Sequence, residues 1–429
     1  MSSFGRVHRH TLLIFGAPWL LAGLEVTQGD ASVTVSPRAL TTLLSAAGTY
    51  AFGALADQAG RKRAFVFALG LHALALFATG LGPDVGSSII AQITLGASLG
   101  GLLSASQCAV VELVPARRHA SLTMLLYGAL GLGAVLAVVV LWCVPSWRGV
   151  ELGALDAELT SKRAWALTLS ASYALSAAIA QGSALVDVDA APKQANQPRS
   201  YPAHLLMAPQ SASTALCAAL FIGQAFAQHV LFSPHAQAHL LSRFHSVRPE
   251  HVGRYILPVA VFGMLGPLAL GRLADRVGVR SCMITCYLTS STLLLAATLL
   301  GAMQRLEATS VALLWAGASF SGSAAVSGSY VTVSELFPIA VRARALATFY
   351  ALGALTSQLL VPMLFATPVT LRSPNALTVG DGLAAVGMAV AATAAFGLGV
   401  SARSSPLEPL AKPLKAATKS DANRQRKDM

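Results

Sequence analysis

The residues in this chain that could do chemistry are polar groups set inside otherwise apolar stretches. Glu25 lies in AGLEV, within the first long apolar run. A charge inside a membrane span is costly to bury, which makes such a residue a functional candidate by default. A carboxyl in apolar surroundings can also exchange protons near neutral pH. Gln224 and Gln228, in GQAFAQHVLF, are one helical turn apart and share one helix face. Amides in lipid need partners, so both face a cavity or another helix; solute binding and interhelix bonding stay open. His72 reads as a packed polar residue, and Asp381 opens the last apolar run as an interfacial one. His235, His239, His245 and His251 crowd one polar stretch with only Glu250 nearby. A solvated loop is expected there, and no metal site. No G-x-x-x-x-G-K-[ST] loop occurs, so no nucleotide or other cofactor is implied. No nucleophile motif stands at a membrane face, so an enzyme is not expected.

These groups must be positioned by membrane helices. Only 11% of the 429 residues are charged and 55% are hydrophobic, against about 25% charged in a soluble domain. A bilayer solvates apolar faces, so the missing surface charge is not needed. A span takes about 20 residues. Apolar runs of near that length recur at 11–28, 38–56, 64–82, 87–111, 120–142, 164–186, 204–232, 255–271, 281–302, 309–333, 343–366 and 376–400. The expected fold is all-α, with twelve transmembrane helices. Five cysteines without a C-x-x-C pair give neither a disulfide framework nor a zinc site.

Lys and Arg fix the expected orientation. With the N-terminus inside, 21 of the 30 fall on the cytoplasmic side, so both termini are expected there. The same bias accounts for the net charge of +12 without a nucleic-acid partner. Residues 1–10 are a basic cytoplasmic N-terminus. Residues 187–203, polar and with three prolines, link an N-terminal six-helix bundle (11–186) to a C-terminal one (204–400). Residues 401–429 form a disordered basic cytoplasmic tail that can touch anionic lipid.

An internal repeat supports the two bundles. GALADQAGRKR (53–63) follows the second span, and GRLADRVGVR (271–280) follows the eighth. Downstream, VVELVPARR carries Glu112, Pro115, Arg117 and Arg118, and VSELFPIAVRAR carries Glu335, Pro338, Arg342 and Arg344. The stretch from Gly53 to Glu112 is nearly as long as that from Gly271 to Glu335. Two motifs in one order, in two halves of six spans, indicate duplication of the kind found in transporters. Glycines 53 and 60 allow close helix approach and a tight turn. A carboxylate at Asp57 favours a neighbouring helix N-terminus or an arginine. Arg61 and Arg63 can fork onto carboxylates such as Glu112.

With these motifs the chain resembles the major facilitator superfamily over roughly residues 11–400. The resemblance implies two six-helix bundles related by a pseudo-twofold along the membrane normal, with a solute cavity between them. It also implies that the turn after the second span locks the outward-open state. That gating role falls on Gly53, Asp57, Gly60, Arg61, Arg63, Glu112, Arg117 and Arg118, and by repeat on Gly271, Asp275, Gly278, Arg280, Glu335 and Arg342. The segment SELFPIAVRARALA is similar to that of sugar porters and of the synaptic-vesicle-protein-like metabolite and organic-ion branch. SGSY at 327–330 and the separated glutamines disfavour a sugar, and YGALGLGAVL at 127–136 lacks the proline of drug exporters.

AGLEV resembles the acidic first-span segment of related symporters, which makes Glu25 a proton or substrate site. Two departures bear on this. The stretch between Glu25 and Gly53 is shorter than the family pattern implies, so the first span or the loop after it reads as truncated. Gln92 stands where similar transporters carry an arginine, which supplies a hydrogen bond but no charge. The expected function is secondary active or facilitative transport of a small polar organic solute or ion by a monomer in the plasma membrane, with protons as a candidate second solute. Glu25, Gln92, Gln224 and Gln228 would form the site. The alternative is a non-transporting sensor on the same scaffold.

Overall fold

The computed structural model describes residues 2–26, 35–81, 89–114, 118–143, 155–183, 211–231, 241, 247, 249–303, 307–365 and 376–404. The linker 187–203, Pro115, Arg117, the histidines 235, 239 and 245, and the tail beyond 404 lie outside them. Twelve long helices stand among the described residues: α1 (Ser2–Val26), α2 (Val35–Ala59), α3 (Arg61–Leu81), α4 (Ile89–Leu113), α5 (His119–Cys143), α6 (Leu155–Gly182), α7 (Ser211–Leu231), α8 (Pro249–Val277), α9 (Val279–Ala302), α10 (Ala308–Leu336), α11 (Arg342–Phe365) and α12 (Ala376–Ser404). The apolar runs predict this order, with boundaries shifted by a few residues. The largest shifts are at α1 and α6, which begin at Ser2 and Leu155, well ahead of the apolar runs at 11 and 164. The α1 helix, 25 residues long, is not short.

Among the described residues, seven of the helices are long and apolar enough to cross a membrane by length and composition. Large apolar side chains such as Phe67, Leu74, Leu175, Leu295 and Phe396 lie exposed on the bundle. In water such surface would drive aggregation, whereas lipid solvates it. The chain is an integral, multi-pass membrane protein.

Packing follows the repeat. In the first half, α1 packs on α5, α2 on α4, and α3 on α4 and α6. In the second, α7 packs on α11 and α12, α8 on α10, and α9 on α10 and α12. The halves meet where α2 lies on α11 and α5 on α8, two seams that exchange under the same twofold. Small residues allow the approach, as expected where lipid offers helices no hydrophobic drive to associate. A side chain at Gly23 or Gly133 would collide with the opposing backbone of the α1/α5 pair. Serine and threonine hydroxyls bond back to carbonyls one turn earlier, as Thr49 does to Ser45 at 2.9 Å and Ser104 to Gly100 at 2.9 Å. These bonds satisfy polar groups where water is absent. Single residues, Gly60 and Gly278, join α2 to α3 and α8 to α9. Their φ values of 102° and 99° lie where only glycine sits without strain.

Candidate functional site

One end of the molecule gathers the α2/α3, α4/α5, α8/α9 and α10/α11 junctions and the basic repeat motifs; it is called the basic end below. There each half caps a helix of the other. The Asp57 carboxylate accepts the Ala343 and Arg344 amides at 3.2 and 2.9 Å, in the first turn of α11. The Asp275 carboxylate accepts the Ala120 and Ser121 amides at 3.1 and 3.3 Å, in the first turn of α5. A carboxylate on a helix N-terminus satisfies orphan donors and faces the positive end of the helix dipole. The repeated aspartates are thus reciprocal clasps across the two seams.

Arg61, only 5% exposed, is the hub of the first half. Its guanidinium donates to Asp57 at 2.5 Å, to Glu112 at 3.0 Å, and across the seam to the Ile339 carbonyl at 2.8 Å. Glu112 also receives Arg342 of the other half at 3.5 Å. In the mirrored place, His119 meets Glu335 at 3.2 Å. His119 and Arg342 are the first residues of α5 and α11, and each faces the glutamate of the opposite half.

Several predicted gating residues lie elsewhere. Arg63 is exposed and does not reach Glu112. Positions 61 and 63 point about 200° apart on a helix, so one inward-facing guanidinium excludes the other. Arg118 is exposed too; the residue in register with Arg342 is His119. Gly60 aligns with Gly278, so Val279 stands in the place of Arg61, and Arg280 in that of Lys62. Arg280 is half-buried with its Nε unpaired among the described residues. The second half therefore keeps the clasp and lacks the hub.

Inside the first half, the Glu25 carboxylate lies 2.7 Å from His72 Nε2. His72 is fully buried, and its Nδ1 is 2.9 Å from the Ser98 hydroxyl. The Tyr173 hydroxyl donates to the same Glu25 oxygen at 3.4 Å, and its ring packs edge-on against the imidazole at 4.5 Å. Residues of α3 and α6 thus meet the carboxylate carried by α1, and α4 holds the far side of the imidazole. His72 is therefore not merely packed; it is the partner of the half-buried Glu25. An acid within the bundle points to such a partner, but α1 and α3 are far apart in the chain and no local pattern carries the pairing.

Between Glu25 and the basic end, aromatic rings run from one half into the other. Trp19 packs on Tyr127 at 4.9 Å, Tyr127 on Tyr330 at 5.3 Å, Tyr330 on Phe221 at 5.1 Å, and Phe221 on Phe349 at 6.1 Å. Tyr127 and Tyr330 belong to opposite halves and share a hydrogen bond. The Trp19 indole donates to Ser106 at 2.8 Å.

Gln224 is buried and accepts a hydrogen bond from the Tyr287 hydroxyl, so its amide oxygen is taken within the bundle. Gln228, one turn on, is half-buried. Gln92 is half-buried one turn from the end of α4 away from the basic motifs, and no contact among the described residues brings it to Glu25. The four predicted site residues do not form one cluster. Asp381 does not lie on the surface: it is 2% exposed and accepts the Trp315 indole N–H at 2.9 Å. Its other oxygen is unpartnered among the described residues.

This arrangement is similar in fold to solved transporters of the major facilitator superfamily. No family model matches the sequence. Among solved structures, the chain is similar to the E. coli fucose:proton symporter FucP, with a TM-score of 0.68 and 14% identity over 92% of this chain and 98% of that one. It is similar to the human organic anion transporter MFSD10, with a TM-score of 0.66 and 15% identity over 90% and 99%. It is also similar to the proton:xylose symporter XylE bound to 6-bromo-6-deoxy-D-glucose, with a TM-score of 0.65 and 16% identity over 91% and 95%. Likeness at this identity is likeness of fold, spanning nearly the full length of each chain.

Proposed function

We propose that this protein is a proton-coupled transporter of a small polar organic solute or ion, working by alternating access, with Glu25 and His72 as the coupling pair. The observation that carries the proposal is the 2.7 Å contact between the two side chains inside the first bundle. A carboxylate and an imidazole at hydrogen-bond distance share a proton. Loading a second proton breaks that sharing and changes how α1 is held against α3 and α6. The Glu25 side chain remains one-fifth exposed, which supports access to it. The position of Glu25 agrees with a solute bound above the aromatic layer. Gln228 from the other half is the freer of the two span-seven amides. Two of the similar structures are described as proton symporters and a third as an organic anion transporter.

The clasps at the basic end support a state closed on that side. With the basic motifs in the cytoplasm, that state is outward-facing and both termini lie inside. The protein would act as a monomer in the plasma membrane.

The test is transport into proteoliposomes, using a panel of sugars and organic anions with and without an inward proton gradient. Uphill accumulation that collapses with an uncoupler is expected. Glu25→Gln should abolish accumulation and keep solute exchange, because the neutral amide holds the bound state without carrying a proton. Accumulation by Glu25→Gln equal to that of the unaltered protein would overturn the coupling role. Saturable binding with no flux in either direction would establish a sensor instead.

A further inference from the structure

The α5/α8 seam carries a feature beside the Asp275 clasp. At the basic end it opens into a crevice of about 950 Å³ facing outward from the bundle. Arg118, Arg272 and Arg276 line it, all three exposed. Asp275 is the acid among the lining residues, and both its oxygens are engaged by the amides of α5. The crevice is thus positive and presents guanidinium groups to whatever enters. It continues along the same seam into a second groove of about 260 Å³, sharing Leu125 and Leu268 with the first. Leu13, Leu132 and Met264 complete that groove, which is almost wholly apolar.

We propose that this continuous site binds an anionic phospholipid, with its phosphate on the three arginines and an acyl chain along the apolar groove. Guanidinium groups match phosphate oxygens in charge and fork geometry. From Arg276 to Met264 the helix runs about 18 Å at 1.5 Å per residue. One leaflet of hydrocarbon is about 15 Å deep, so headgroup and chain fall in the layers that lipid chemistry requires. A free phosphate would use the arginines and leave the apolar groove unexplained. The position also gives the lipid a mechanical role. Arg118 leads into α5 of the first half, while Arg272 and Arg276 belong to α8 of the second. One phosphate held between them offsets like-charge repulsion across the seam and ties the halves together beside the Asp275 clasp.

The experiment is lipid binding to the full-length protein in detergent, read by native mass spectrometry. Dioleoylphosphatidylglycerol is compared with dioleoylphosphatidylcholine, and inorganic phosphate serves as the soluble anion. Phosphatidylglycerol should bind at least tenfold more tightly than phosphatidylcholine. The double variant R272Q/R276Q, altered only at exposed positions, should lose that preference. Leu132→Trp, which fills the groove, should weaken phosphatidylglycerol with the arginines intact. Equal retention of both lipids would reduce the site to ordinary annular contact and overturn the proposal. So would an unchanged preference in R272Q/R276Q. Inorganic phosphate displacing phosphatidylglycerol, with Leu132→Trp without effect, would show an anion site and no lipid site.

Discussion

The two halves solve one mechanical problem with different strength. Both place an aspartate on the first turn of a helix in the opposite half, and both set a glutamate at the end of α4 or α10 against the residue that opens a helix of the other half. The first half adds Arg61, buried among two carboxylates and a carbonyl of its opposite. The second has Val279 in that place and a histidine where the first seam receives Arg342. The α2/α11 seam is therefore a charged, dehydrated lock, and the α5/α8 seam a lighter latch beside an open crevice. A duplicated motif fixes where two clasps lie; the residues that differ between copies decide which holds harder.

The largest test of that difference is to remove each side's key residue. Arg61→Ala leaves the buried Asp57 without its cation and Glu112 with Arg342 alone. Breaking a buried ion pair from one side costs about 3–5 kcal/mol. Asp275→Ala removes a helix cap, which costs about 0.5–2 kcal/mol. Thermal unfolding of both variants in the same detergent should rank Arg61→Ala well below Asp275→Ala. Equal melting temperatures would mean that the two seams bear equal load and that the buried hub adds nothing.

The closeness of the helices differs in the same sense. A Cβ placed on Gly53 would stand 2.8 Å from the Ala343 carbonyl oxygen and 3.0 Å from Arg344 Cα, both backbone atoms of α11. One on Gly271 would stand 3.1 Å from Ser121 Cα and 3.3 Å from Met124 Cβ. Overpacking costs about 1–3 kcal/mol where the surroundings cannot yield. Gly53→Ala should fall in that range and Gly271→Ala below it, again by thermal unfolding. A larger loss in Gly271→Ala than in Gly53→Ala would reverse the assignment of the tighter seam.

Much of this is legible in the sequence, for physical reasons that also set the limit. Apolar runs long enough to span, and a motif pair repeated in each half, define twelve helices and two bundles because lipid leaves the backbone few alternatives. Asp57 can be assigned a helix N-terminus or an arginine, and it has both. Arg63 is exposed where Arg61 is buried, because adjacency along the chain is not adjacency on a helix face. His119 is hidden by the arginines before it; the register that maps Arg342 onto it follows from the helix starts. The Glu25–His72 pair cannot be read at all, since only packing brings α1 and α3 together at that depth. Asp381 looks like a surface acid because it opens an apolar run, yet α10 covers it with Trp315.

The smallest expected effect separates the two glutamate pairs by their response to pH. Arg342 is charged at every working pH, so its pair with Glu112 persists throughout. The His119–Glu335 pair is ionic only while the imidazole is protonated. The Glu335 carboxylate raises the His119 pKa above its ordinary value. Its stabilisation is therefore present at acid pH and is lost as pH rises through the titration of His119. The Glu335 side chain is 49% exposed, so solvent screens the pair. Pairs of that kind contribute about 0.2–1 kcal/mol. Melting temperatures of the unaltered protein and of Glu335→Gln should differ at about pH 5.5 and converge at about pH 8, the upper end of the window in which histidine titrates. His119→Arg should keep the gap open at the higher pH, because it carries its charge there. A gap of the same size at both pH values in the unaltered protein would show that Glu335 acts through something other than His119, and the latch would then be no more pH-sensitive than the lock.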